Sequence, residues 1–135
     1  MLTRVDNQEV FYYHANRAFV ATQPNVVFVH GASHEHSVWA LQSRYFAYHG
    51  WNVLALDLPG HGRSSGATYA SVEDSARWLL RFLDAVGIEK TALVGHSMGS
   101  LIALEAAASA PQRVSKLALI GTAAPMIVGE GLLTA

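Results

Sequence analysis

Four short runs of the chain are apolar at every position rather than at alternate ones: residues 26–29, 53–56, 92–94 and 117–120. Continuous apolarity of that length suits strands covered on both faces, as in a parallel sheet between helices. Helical periods lie between the runs. Val38, Leu41, Tyr45 and Tyr48 form one stripe, after a cap at Ser37 and before a stop at Gly50. Val72, Ala76, Leu79, Leu80, Leu83 and Val86 form a second. Ser71, followed three residues on by Asp74, has the form of a capping box, and Gly87 ends that helix. A third helix is predicted over about residues 99–110, closed by Pro111. Ahead of all this, residues 5–13 with Asp6-Asn7 as turn chemistry read as a hairpin or edge strands, and Pro24-Asn25 leads into the first central strand. Alternating strand and helix predicts an α/β fold: a mostly parallel, doubly wound sheet with ligands bound beyond the carboxyl ends of its strands.

One of those strand ends carries chemistry. Gly95-His96-Ser97-Met98-Gly99 sits between the run ending at Val94 and the third helix, the context a serine nucleophile elbow requires. A serine at so tight a turn is held in a strained backbone conformation with its Oγ exposed above the sheet edge. Gly95 and Gly99 flank it at minus two and plus two, where strand and helix pass too closely for a Cβ. The helix that follows aims free N–H groups and its positive dipole end at the place where an oxyanion would form.

Two further motifs follow strands of their own. His30-Gly31-Ala32 comes after residues 26–29, and Asp57-Leu58-Pro59-Gly60-His61-Gly62-Arg63-Ser64 comes after residues 53–56. With the elbow as the third, in this order and spacing, the chain resembles the α/β-hydrolase superfamily in its serine-nucleophile, esterase and lipase-like branch. The resemblance implies acyl transfer through a covalent acyl-enzyme on Ser97, with no cofactor. The backbone N–H groups of Ala32 and Met98 would hold the oxyanion, and His30, Gly31, Gly95, His96 and Gly99 would support the loop and elbow. It also implies eight strands, an acid after the seventh or sometimes the sixth, and a histidine after the eighth. Residues 117–120 would be strand six, and Glu130 is the only acidic residue beyond it. The expectation is therefore an N-terminal half, truncated after about strand six and lacking the catalytic acid and base. Residues 1–122 would form the core, and residues 123–135 would begin a lid or cap insertion. An open sheet edge of this kind invites self-association.

Seven histidines are present. His96 precedes the nucleophile, and strand alternation points it away from Ser97, which suits a packed supporting role. The usual role in the family for a residue placed like His30 is to tie its loop in place, and His61 suits a turn hydrogen bond. Asp57 and Arg63 read as fixing the loop after the 53–56 strand. His34 and His36 lie in a polar loop that should border the pocket, where they are candidates for contact with substrate. Their His-x-His spacing invites a metal reading, but no further histidine or aspartate completes a hydrolytic zinc site, so no metal is expected.

Composition narrows the partners. Nine Lys and Arg against ten Asp and Glu, scattered rather than clustered, exclude a polyanion-binding surface. No run approaches a membrane span or a signal peptide, and there is no cysteine. The expected partner is a small acyl or ester substrate, with neither nucleic acid nor membrane, and cytoplasm is the default location. An acyltransferase, a C–C hydrolase, a perhydrolase or a lyase would use the same serine. A non-catalytic module that binds acyl ligands or another chain is the alternative from a different class. Dinucleotide binding by the 60–66 segment is disfavoured by Pro59 and by the lack of a helix opening from it. Serine at position 97 argues against the dehalogenase and epoxide-hydrolase relatives, which use an aspartate there.

Overall fold

A computed structural model describes residues 1–122; the expected lid segment and Glu130 lie outside the described residues. The hairpin forms where Asp6-Asn7 indicated: β1 (Leu2–Val5) and β2 (Gln8–Tyr13) pair antiparallel, and both turn residues adopt positive φ. Then come β3 (Asn25–Val29), α1 (Ala40–Tyr48), β4 (Asn52–Leu56), α2 (Val72–Ala85), β5 (Thr91–His96), α3 (Met98–Ser109) and β6 (Val114–Ile120). The sheet order is β1-β2-β4-β3-β5-β6. β4, β3, β5 and β6 run parallel, and β2 joins β4 antiparallel. This is the doubly wound sheet expected from the alternation of elements.

The two faces are covered unequally. α2 and α3 pack on one face through Trp78, Leu79, Phe82, Leu83, Ile102 and Ala106 against Val27, Val29, Leu54, Leu56 and Leu93. Each such side chain, fully removed from water, contributes about 1.5–3 kcal/mol. Ser71 caps α2 as expected, its Oγ accepting the Asp74 N–H at 3.0 Å. The other face is covered by α1 and by a 3-10 turn over His36–Trp39, which close on Val26, Phe28, Val53 and Ala55.

α1 corrects the sequence-based stripe. Val38, Leu41, Tyr45 and Tyr48 are all exposed, Leu41 at 76% and Tyr48 at 77%, while Trp39, Ser43 and Ala47 are buried. The small residues win because they let the helix approach the sheet, with the Trp39 and Phe46 rings on Phe28 at 5.1 and 5.8 Å between centroids. Ser43 tolerates burial by donating to the Trp39 carbonyl at 2.7 Å. The cap also moves: Glu35, not Ser37, accepts at the start of the 3-10 turn. A second correction concerns β6. It starts at Val114, earlier than residue 117, and its residues from Ser115 to Ile120 are exposed, so it is not covered on both faces among the described residues. β6 has β5 on one side and, among the described residues, no strand on the other.

What positions the site is the set of loops at the carboxyl ends of β3, β4 and β5. His30 is fully buried directly after β3. Its Nδ1 pairs with the Gly31 carbonyl at 2.7 Å, and its Nε2 accepts the Leu58 N–H at 3.0 Å, which joins the loop after β3 to the loop after β4. Accepting at Nε2 requires a neutral imidazole with its proton on Nδ1. Burial pushes the His30 imidazole down to about 4, only partly offset by the bond to Gly31. The unfolded chain, with an ordinary histidine, takes up the proton first as pH falls. Stability is therefore intact above about pH 6.5 and is lost towards pH 4, by up to about 3 kcal/mol from this group. Urea unfolding of the chain at pH 7 and at pH 4.5 should show that loss, and His30→Gln should flatten the dependence. An unchanged slope in His30→Gln would remove His30 as its source.

Candidate active site

Ser97 stands between β5 and α3 with φ 54° and ψ −120°, a conformation that side chains other than glycine rarely adopt. The reason is local crowding. A Cβ on Gly95 would run into the backbone of Gly99 and Ser100, and one on Gly99 would run into the carbonyls of Val29 and His30. Strand, turn and helix thus pass backbone to backbone over the end of β3. The serine takes the strained position as the single residue between strand and helix, and the glycines two residues to either side leave room for the close passage. Its own N–H is tied to the Ile120 carbonyl at the end of β6, at 2.9 Å. Sequence reasoning did not anticipate that anchor.

The loop after β3 lies directly against the turn. A Cβ built on Gly31 would stand 3.2 Å from Ser97 Cβ, 3.3 Å from the His96 carbonyl oxygen and 3.4 Å from His34 Nδ1. The structure therefore gathers Gly31, His34, His96 and Ser97 at one point. The His34 and His96 rings stack at 6.0 Å between centroids, and Trp39 meets His96 edge-on at 6.5 Å. The loop turns tightly, with the His34 N–H donating to the Gly31 carbonyl and Ser33 at φ 62°.

Ala32 and Met98 come together on the wall of a cleft of about 270 Å³ at the carboxyl edge of the sheet, shared with Leu58, His61, Tyr69 and Ser75. Tyr69 and Ser75 were missed in the sequence. The signal was available, because both flank the start of α2, on the connection that leaves the carboxyl end of β4. His61 makes the turn bond anticipated for it, Nδ1 to the Pro59 carbonyl at 3.0 Å.

His36 is occupied otherwise. Its backbone N–H and its Nδ1 both reach Asp57 Oδ1, at 2.7 and 2.9 Å, while the Arg63 N–H donates to Asp57 Oδ2 at 2.9 Å. Asp57 is fully buried, and these bonds satisfy its carboxylate. Ser64 adds a bridge, its Oγ donating to the Asp57 carbonyl and accepting the Phe11 N–H of β2. Glu35, His36 and Asp57 present oxygen and nitrogen atoms within 4.8 Å of one another, a grouping the His-x-His reading did not foresee. The bonds already made by Asp57 account for it as an anchor of the loop carrying His34. His14 and His49 lie away from this cluster: His14 follows β2, and His49 stacks on Tyr45 beyond α1 at 4.1 Å.

Comparison with known proteins agrees with this architecture. A relative in Cupriavidus necator, the dihydrolipoyllysine-residue acetyltransferase component of an acetoin cleaving system, is 42% identical over 70% of this chain and 25% of its own length. A 2-hydroxy-6-oxononadienedioate/2-hydroxy-6-oxononatrienedioate hydrolase of Paraburkholderia phymatum is 40% identical over 75% of this chain and 37% of its own. Among solved structures, a membrane phospholipase A superposes with a TM-score of 0.80 and 34% identity, over 88% of this chain and 38% of that one. The chain thus spans well under half the length of each of these relatives. No helix among the described residues is long and apolar enough to cross a membrane. The family described as "alpha/beta hydrolase fold" matches residues 24–132, from just ahead of β3 to beyond the end of β6. The chain belongs to the α/β hydrolase fold family.

Proposed function

We propose that the chain carries the nucleophile half of a serine hydrolase acting on an ester or related acyl substrate. Ser97 Oγ attacks the acyl carbonyl carbon and gives its proton to a general base. The tetrahedral oxyanion sits between the backbone N–H groups of Ala32 and Met98. Collapse breaks the bond to the leaving alkoxide, which takes the proton back. Water, deprotonated by the same base, then releases the acid and restores Ser97. The observation that carries this reading is the positive φ of Ser97, held between two glycines that tolerate no Cβ, with the Gly31 loop packed against it. A structural serine gains nothing from such strain, and strain of about 1–3 kcal/mol persists where function requires it.

A second reading, acyl transfer to an acceptor other than water or cleavage of a C–C bond, uses the same serine. The names of the relatives in Cupriavidus necator and Paraburkholderia phymatum favour keeping it. The product ratio between water and an added thiol acceptor separates transfer from hydrolysis.

Covalent labelling tests the nucleophile once the base is supplied. A fluorophosphonate probe should label a full-length parent at Ser97, and Ser97→Ala should abolish labelling; a label on another residue would refute the assignment.

On this reading the base comes from outside the described residues; His30, His36 and His61 are committed to loop bonds, which supports it. Loss of the triad histidine costs about six powers of ten in subtilisin. These 135 residues alone should therefore hydrolyse a short p-nitrophenyl ester barely above background. Substantial Ser97-dependent turnover would contradict that, and His34→Ala would then identify the base.

A further inference from the structure

A second cavity lies at the opposite edge of the sheet. Its volume is about 410 Å³, within the range of about 300–1,000 Å³ usual for small-molecule sites. Gln23 leads into β3, Asn52 and Val53 open β4, and Ile88 precedes β5, so the cavity sits at the amino ends of the parallel strands. Ser97 and the cleft with Ala32 are at the carboxyl ends.

The cavity is a built one. Asn52, 6% exposed, clamps the 20–23 loop to β4, its Oδ1 accepting the Val20 N–H at 2.9 Å and its Nδ2 donating to the carbonyls of Val20 and Gln23 at 2.8 and 3.2 Å. The floor is apolar, from Ala47, Val53, Leu54 and Ile88, with Trp51 beside it. Phe19 and Val20 line it while remaining 59% and 41% exposed, a cost a ligand would relieve by covering them.

His14 and the exposed Arg17 also stand on its wall. His14 Nδ1 is shut off from solvent and has no hydrogen bond among the described residues. A buried ring nitrogen without a partner costs about 1–3 kcal/mol. Arg17 lines the same cavity and forms no salt bridge among the described residues; the Tyr48 ring, 5.9 Å away, is its aromatic neighbour. A tight turn joins the two residues, with the Arg17 N–H donating to the His14 carbonyl and Ala15 and Asn16 both at positive φ. Burial, and after it the N-terminal ammonium of Met1, holds the His14 imidazole below its ordinary value.

We propose that this cavity binds a small monocarboxylate with a compact apolar or aromatic body, at a site separate from Ser97. The carboxylate pairs with Arg17, and the body packs on Trp51, Val53 and Ile88. The proposal does not depend on the reaction assigned to Ser97.

Sodium benzoate is the probe, titrated into the chain while the summed emission of Trp39, Trp51 and Trp78 is followed, with equilibrium dialysis as the second readout. Saturable binding is expected, weakened roughly tenfold or more in Arg17→Gln and unchanged in Ser97→Ala. Trp51→Phe should remove the fluorescence change while dialysis still reports binding. Benzamide, neutral and of the same shape, should bind far more weakly. Circular dichroism of each variant separates loss of the site from loss of the fold. No saturable binding up to about 10 mM would overturn the proposal. So would equal affinity for benzamide, or binding that survives Arg17→Gln unweakened.

Discussion

The backbone of α3 passes so closely over the end of β3 that a single methylene group cannot be admitted between them. Gly99 faces the carbonyls of Val29 and His30, and Gly95 faces Gly99 itself. From this contact the rest of the site follows. Because the helix begins immediately after the strand, the one residue between His96 and Met98 has to make the whole reversal, and Ser97 does so at positive φ. Because the helix N-terminus lies over the sheet edge, the first turn of α3 and the loop after β3 meet, bringing Met98 to the same wall as Ala32. The β5 and α3 connection is the pivot, and the sheet order with β3 and β6 on either side of β5 supplies the two backbones against which it is pressed.

Around that pivot the loops are fixed by buried polar groups. His30 spans from the loop after β3 to Leu58, and Asp57 collects N–H groups from His36 and Arg63, so two loops distant in sequence are held together by two side chains. Neither is exposed at all. Such groups stabilise only while every bond is made, since losing one partner leaves the other buried and unsatisfied. The apolar core beneath, built on Val27, Val29, Leu56, Leu79 and Phe82, gives the sheet the rigidity that lets a strained turn persist.

Much of this was legible in the residues. The elbow could be read from Gly95, Ser97 and Gly99 set between an apolar run and a helical one, because steric exclusion of a Cβ is a property of residue type. The hairpin at Asp6-Asn7 and the cap at Ser71 were legible for the same reason. Both use side chains or conformations that few other residues supply. The stripe on α1 was misread because periodicity weighs large apolar residues, whereas the approach of helix to sheet selected Ser43 and Ala47 and left Tyr45 and Tyr48 in solvent. β6 was read as doubly covered from its apolarity, yet burial depends on neighbours that its own sequence does not specify. His36 and Asp57 are far apart along the chain, and nothing in either segment announced their bond. The orphan nitrogen of His14 and the cavity beside it were equally hidden, being products of how a loop folds back on the amino ends of β3 and β4.

The central claim is that Ser97 is held under strain by the close passage of β5 and α3. It is tested most directly by comparing the folding stability of Ser97→Gly with that of Ser97→Ala. Both remove the hydroxyl, but only glycine adopts φ 54°, ψ −120° freely. Glycine in an unstrained position would lower stability by about 0.5–1 kcal/mol relative to alanine. Relief of about 1–3 kcal/mol of strain should outweigh that and leave Ser97→Gly the more stable in urea unfolding, by about 1 kcal/mol. A Ser97→Ala variant as stable as Ser97→Gly, or more so, would contradict the account.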